Sequence, residues 1–143
     1  AQVVNLLADL QRRLRLSYLF ISHDLRVVEI ISRKVAVMYL GKIVETGLTE
    51  KIARSPRHPY TAILWSSLVD KRSDEASRRA LGPGAGDRGA FDFDRPAGGC
   101  PFAPRCPVYA ERGRPAVCTD PESAPVLSAG GAGHQVACHF PLS

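Results

Sequence analysis

An α/β layer architecture with a small cysteine-rich appendage is the fold class that this sequence predicts, and three observations predict it. Helix-period and strand-like apolar patterns alternate over residues 1–69. That periodicity is lost over residues 70–99, where Gly82, Gly84, Gly86, Gly89, Gly98 and Gly99 mix with charges. Every cysteine then falls in the last segment, at Cys100, Cys106, Cys118 and Cys138.

The elements follow in order. Val3, Leu6, Leu7, Leu10 and Leu14 recur at helical spacing, with Gln2, Asp9 and Arg12 turned away, and predict an amphipathic helix. Ser17 to Ile21 is a short apolar run without polar alternation, which suits a strand covered on both faces in a parallel sheet. Asp24 can cap a following helix that carries Leu25, Val28 and Ile31 on one side. Val35 to Leu40 predicts a second strand. Gly41-Lys42 predicts a two-residue hairpin turn, with Ile43-Val44-Glu45 returning antiparallel until Gly47. Thr49 offers a cap for a short helix through Ile52. His58-Pro59 opens a last helix with proline in its first turn, His58 at the cap and Tyr60, Ile63, Leu64 and Leu68 on the apolar face. This order belongs to an α/β layer structure, and the piece is expected to complete a larger sheet.

Composition narrows the function. The chain has 143 residues, 45% hydrophobic and 23% charged, which is ordinary for a globular protein. The run at Ser17 to Ile21 falls far short of the roughly 20 apolar residues that a membrane helix needs. There is neither a secretory leader pattern nor an initiator Met, so further sequence is expected upstream. The net charge of +5 is scattered. Arg12, Arg13 and Arg15 end a helix, where cations suit the macrodipole, and Arg72, Arg78 and Arg79 mix with Asp70, Asp74 and Glu75. A solvated surface explains this better than a nucleic-acid face.

Two groups of residues carry chemistry. His23 stands just after the Ser17–Ile21 run, where open α/β sheets bind ligands beyond the carboxyl ends of their strands. An imidazole there can reach a phosphate oxygen or orient water, and it can equally be structural. The cysteines are spaced Cys-x5-Cys-x11-Cys-x19-Cys, without the Cys-x2-Cys pair usual in zinc fingers. Four thiolates on irregular loops can hold a four-iron cluster. Zinc, disulfides and free thiols stay open as alternatives, and His134 or His139 could replace one cysteine in a zinc site. A segment of this size buries little core and usually needs such a staple.

Phe20-Ile21-Ser22-His23-Asp24-Leu25, followed by Met38-Tyr39-Leu40-Gly41-Lys42-Ile43-Val44-Glu45-Thr46-Gly47, resembles the end of an ABC transporter nucleotide-binding domain. Pro56-Arg57-His58-Pro59-Tyr60-Thr61 resembles the His-Pro-Tyr element of the oligopeptide and dipeptide branch. Gly99-Cys100-Pro101-Phe102, Pro104-Arg105-Cys106-Pro107 and His134-Gln135-Val136-Ala137-Cys138-His139 resemble the carboxyl-terminal extension of peptide-transporter ATPases. The resemblance implies the carboxyl-terminal portion of an ABC-type P-loop ATPase domain over residues 1–69, a linker over 70–99 and a small irregular Cys-rich metal-binding extension over 100–143. It makes His23 the switch histidine that contacts the ATP γ-phosphate. Some members of the family hold a four-iron, four-sulfur cluster in the extension, which implies Cys100, Cys106, Cys118 and Cys138 as ligands; the Cys106–Cys118 interval is longer than the family pattern.

The implied protein is the ATPase subunit of a peptide importer at the cytoplasmic face of the cell membrane. ATP with Mg is its cofactor. Its partners are transmembrane permease subunits, a second ATPase subunit and, indirectly, a solute-binding protein. No G-x-x-x-x-G-K-[ST] loop occurs in the sequence, and the catalytic glutamate and ABC signature are expected upstream, so the fragment alone is not expected to hydrolyse ATP. The rival reading is a free-standing Cys-rich metal-binding module, possible for nucleic acid because of the charge. Phe102, Tyr109 and Phe140 do not form a stacking platform, so no nucleic-acid partner is expected.

Overall fold

The computed structural model describes residues 2–69, 98–129, 131 and 133–143. The expected linker lies outside the described residues except for Gly98 and Gly99. Helix α1 spans Gln2–Leu14. Its apolar face is partly covered: Leu7 and Leu10 are half-buried, while Val3, Leu6 and Leu14 are exposed. The run Ser17 to Ile21 is not a strand. Leu19 is 92% and Ile21 89% exposed, and none of the described strands pairs with it. β-Favouring residues make a strand only where a neighbouring strand accepts their backbone hydrogen bonds.

Asp24 caps α2 (Leu25–Ile31) as expected: its Oδ1 accepts from the backbone N–H of Arg26 at 3.0 Å and of Val27 at 3.5 Å. Strand β1 (Lys34–Tyr39) and β2 (Lys42–Leu48) form the antiparallel hairpin. The turn is centred one residue earlier than expected, on Leu40 (φ 45°) and Gly41 (φ 77°). Two positive φ values make a type I′ turn, whose twist matches that of the strands. Thr49 does not cap α3 (Thr49–Arg54); it is the first helical residue, and its hydroxyl donates to the Ser32 carbonyl at 2.6 Å.

The hairpin contains a bulge. Val37 pairs with Glu45 and Met38 with Ile43, which leaves Val44 without an opposite residue. Neighbouring strand residues normally face opposite sides, but the extra residue turns both Val44 (3% exposed) and Glu45 (0%) inward. Strand β4 (Gln135–Val136) pairs with β2 through Glu45–Val136 and Thr46–Gln135, and β3 (Ser128–Ala129) pairs with β4. The sheet order is β1-β2-β4-β3, with every pair antiparallel. The cysteine-rich segment is thus continuous with the hairpin sheet, and the described chain mixes helices with this one sheet.

Below the sheet, Val37, Tyr39, Val44, Ile52, Trp65 and Phe102 form the buried cluster. Phe102 comes from the cysteine-rich segment and meets Tyr39 and Tyr60 with ring centroids 5.2 and 5.4 Å apart. The Tyr39 contact is edge-on and the Tyr60 contact tilted, and the edge-on geometry favours one orientation over a generic apolar contact. Helix α4 (Pro59–Val69) supplies Trp65, whose indole N–H donates to Glu29 on α2 at 2.7 Å.

One buried carboxylate ties these parts together. Glu45 Oε1 accepts from the Arg57 N–H at 2.7 Å, and Oε2 from the His58 N–H at 3.0 Å. His134 Nε2 lies 2.6 Å from Oε1, with both side chains buried. Glu45 thereby receives the chain entering α4 and the chain entering β4 at one point.

His58 caps α4 as the sequence predicts, with Nδ1 accepting the Tyr60 N–H at 3.1 Å. Burial lowers its pKa from 6.5 to about 4, partly opposed by the Glu45 charge. The unfolded chain therefore takes up a proton near pH 6.5 that the folded chain refuses until about 4. This contribution is full above the unfolded value and is lost as pH falls through the window, on the order of 3 kcal/mol. His58→Asn keeps a capping oxygen and removes the titration. Denaturant unfolding should show this acid loss in the parent protein and not in His58→Asn; equal losses in both would contradict it.

Candidate functional site

The structure brings Cys100, Cys106, Cys118 and Cys138 to the wall of one small cavity, together with His58, Phe102, Tyr109, His139 and Phe140. Each cysteine arrives on a different local device. Gly99 has φ 69°, and a Cβ there would lie 2.8 Å from the Cys118 carbonyl oxygen. The residue therefore has to be glycine for the chain to approach so closely. This approach lets the Cys100 N–H donate to the Cys118 carbonyl at 2.8 Å. Cys106 precedes α5 (Pro107–Glu111), where Pro107 occupies the first helical position. Cys118 ends a single 3-10 turn at Ala116–Cys118.

Cys138 follows β4 directly, so sheet pairing sets its position. The Ala137 N–H donates to the Val44 carbonyl at 2.8 Å just before it. Beyond it, the His139 Nε2 lies 2.7 Å from the Ser123 carbonyl oxygen, and the Leu142 N–H donates to the Arg57 carbonyl at 2.8 Å. The Arg112 guanidinium stacks over the ring of Phe140, a residue of the cavity wall, at 4.7 Å.

All four cysteines are unpaired, which sets the disulfide alternative aside in this structure. Burial raises each thiol above its ordinary value, Cys138 to about 11. The thiols of Cys100, Cys106 and Cys118 also push that of Cys138 upward, since neighbouring thiolates repel. Buried and part-buried thiols whose burial disfavours the thiolate are soft ligands that a metal would have to deprotonate.

The fit to a metal can be tested on this geometry. Sulfurs around a single zinc stand about 3.8 Å apart, from a Zn–S bond of about 2.3 Å and tetrahedral angles. Among the described residues, no three His, Cys, Asp or Glu side chains are close enough to hold one ion. The free volume of the whole cavity is about 10 Å³, room for roughly one water. The donor set, four thiols, is the part of the site that suits a thiolate-bound group. His134 is committed to Glu45 and does not line this cavity.

His23 lies elsewhere. It is exposed in the loop ahead of α2, where the Asp24 N–H donates to Ser22 Oγ at 2.9 Å. It lines an open groove of about 1030 Å³ with Tyr18, Phe20, Leu25 and Val35. Sequence reasoning missed Glu45 as the organising residue. Its one signal was a carboxylate inside an apolar return strand. The buried second role of His58, whose Nε2 has no partner among the described residues, also lay beyond any pattern in the sequence.

Residues 44–112 match the family model described as oligopeptide/dipeptide transporter, C-terminal region. A peptide import ATP-binding protein of Brucella ovis is 46% identical over 111 residues, covering 76% of this chain and 33% of the relative. A peptide import ATP-binding protein of Brucella abortus is 42% identical over 141 residues, covering 98% of this chain and 38% of the relative. The dipeptide transport ATP-binding protein DppD of Escherichia coli is 37% identical over 145 residues, covering 99% and 40%. The chain thus spans between 33% and 40% of the length of these relatives. With its cysteine-lined segment joined to the hairpin and to the His-Pro-Tyr helix, this chain belongs to the oligopeptide/dipeptide transporter family, in whose carboxyl-terminal region it falls.

Proposed function

We propose that this chain is the carboxyl-terminal part of the ATP-hydrolysing subunit of a peptide importer. The observation that carries the reading is the similarity of 98% to 99% of the chain to ATP-binding proteins of peptide and dipeptide import. The subunit binds ATP with Mg, and its phosphate loop and catalytic carboxylate belong to sequence outside this chain. His23 contacts the γ-phosphate from its exposed loop. Nucleotide-driven closure of two such subunits moves the transmembrane permease subunits, to which a solute-binding protein delivers peptide. The work takes place at the cytoplasmic face of the membrane; no helix among the described residues is long and apolar enough to cross one.

Residues 100–143 hold a metal centre on Cys100, Cys106, Cys118 and Cys138, and an iron–sulfur cluster is the group we assign. Support comes from four unpaired thiols on the wall of one cavity, a donor set that suits iron–sulfur ligation. When bound, the cluster supplies cross-links among four irregular loops that have little core of their own. The residues do the rest: Phe102 wedges into the core, and Glu45 holds the strand that leads to Cys138.

Two experiments test the two halves. In the full-length subunit assembled with its permease, His23→Ala should lower ATP turnover by about a hundredfold with folding intact; near-normal turnover would refute the His23 assignment. Protein purified without oxygen should contain iron and acid-labile sulfide, and Cys118→Ser should lower both. Stoichiometric zinc without iron would refute the cluster.

A further inference from the structure

His58 is 1% exposed and forms part of the wall of the cysteine cavity. Its ring nitrogens are unequally engaged. Nδ1 accepts the Tyr60 N–H at 3.1 Å, and a nitrogen that accepts carries no proton, so the neutral ring has its proton on Nε2. Nε2 is buried and has no hydrogen-bond partner among the described residues. Leaving such a donor unpaired costs about 1–3 kcal/mol, and folded proteins rarely do so. The other two buried or half-buried histidines nearby are engaged at Nε2, His134 with Glu45 and His139 with the Ser123 carbonyl.

His58 shares the cavity wall with the four cysteines, and no thiol there is hydrogen-bonded to its Nε2. A neutral thiol accepts weakly, whereas a metal-bound thiolate or a bridging sulfide carries the negative charge that makes an N–H···S bond favourable. The same geometry argues against His58 as a metal ligand. Ligation through Nε2 would put the ring proton on Nδ1, facing the Tyr60 N–H, and would break the cap of α4.

We propose that the His58 Nε2–H donates a hydrogen bond to a sulfur of the metal centre held by the four cysteines, making His58 a positioning residue for that centre. The proposal rests on the cysteine reading above. It turns one side chain into a continuous link: the His58 backbone N–H is held by Glu45, Nδ1 starts α4, and Nε2 meets the centre. A hydrogen bond to sulfur withdraws electron density and stabilises the reduced form, so it raises the reduction potential. The helix of the His-Pro-Tyr element and the electronic state of the centre are thereby coupled through one imidazole.

The test uses the full-length protein, reduced to its paramagnetic state and labelled with nitrogen-15 in the histidine rings. Iron and sulfide are assayed first. A protein without a cluster overturns the cysteine reading and this proposal with it, and is recognised by that assay alone. With the cluster present, pulsed electron paramagnetic resonance should detect weak coupling to one ring nitrogen. The coupling should persist in His139→Gln and vanish in His58→Asn, which keeps the helix cap, and the midpoint potential of His58→Asn should shift to more negative values. Absence of coupling in the parent protein, its loss in His139→Gln, or an unchanged potential in His58→Asn would each overturn the proposal. A strong coupling typical of direct ligation would overturn it as well. Should His58→Asn fail to fold, the parent and His139→Gln spectra decide alone.

Discussion

The carboxylate of Glu45 is the group on which the rest of the structure depends. It is fully buried, and a buried carboxylate is tolerable only when its oxygens are held by donors. Two of those donors are the backbone N–H groups of Arg57 and His58, which face the turn into α4. The third contact, with His134 Nε2, comes from residues 89 positions further along the chain. Removing any one of these would leave a buried polar group without its partner, so they constrain one another. The carboxylate acts as a three-way joint between a hairpin strand, a helix start and the strand that leads to Cys138.

Apolar packing works in the same direction. Phe102 enters the cluster under the sheet two residues after Cys100, where Tyr39 meets it edge-on and Tyr60 at a tilt. The cysteine-rich segment is therefore anchored at Phe102, at β4 and at Leu142, whose N–H reaches the Arg57 carbonyl. Between those anchors its chain runs through single 3-10 turns and a five-residue helix. Such short pieces contribute few internal hydrogen bonds, which is why the four thiols lie where a metal would add most to their fixation. In contrast, Val3, Leu6 and Leu14 of α1 and the Ser17–Ile21 run lie open.

What the sequence made legible was local. The Asp24 cap, the proline-led α4 and the hairpin each depend on residues within a few positions, and each was found where the pattern put it, the hairpin turn shifted by one residue. The Ser17–Ile21 strand failed because strand formation is a property of pairs, and the described chain offers it no partner. Glu45 was hidden because the bulge at Val44 breaks the period of two by which strand faces are read. Strands β3 and β4, at two residues each, are too short for any periodicity, and a partner distant in sequence sets their register. The number and spacing of the cysteines pointed to a shared metal site, which stays a proposal, while the inclusion of His58 in the cavity they line depended on where Glu45 holds its backbone.

The central claim is that Glu45 and His134 act as one unit that holds the cysteine-rich segment on the hairpin. A double-mutant cycle tests it most directly, with Glu45→Gln, His134→Asn and the combined variant. The readout is the opening free energy from hydrogen exchange at the Ala137 N–H, which is bonded to the Val44 carbonyl. The account predicts that the two substitutions do not add, with a coupling above about 1 kcal/mol. Effects that sum to within about 0.3 kcal/mol would show the two residues to be independent and would contradict it.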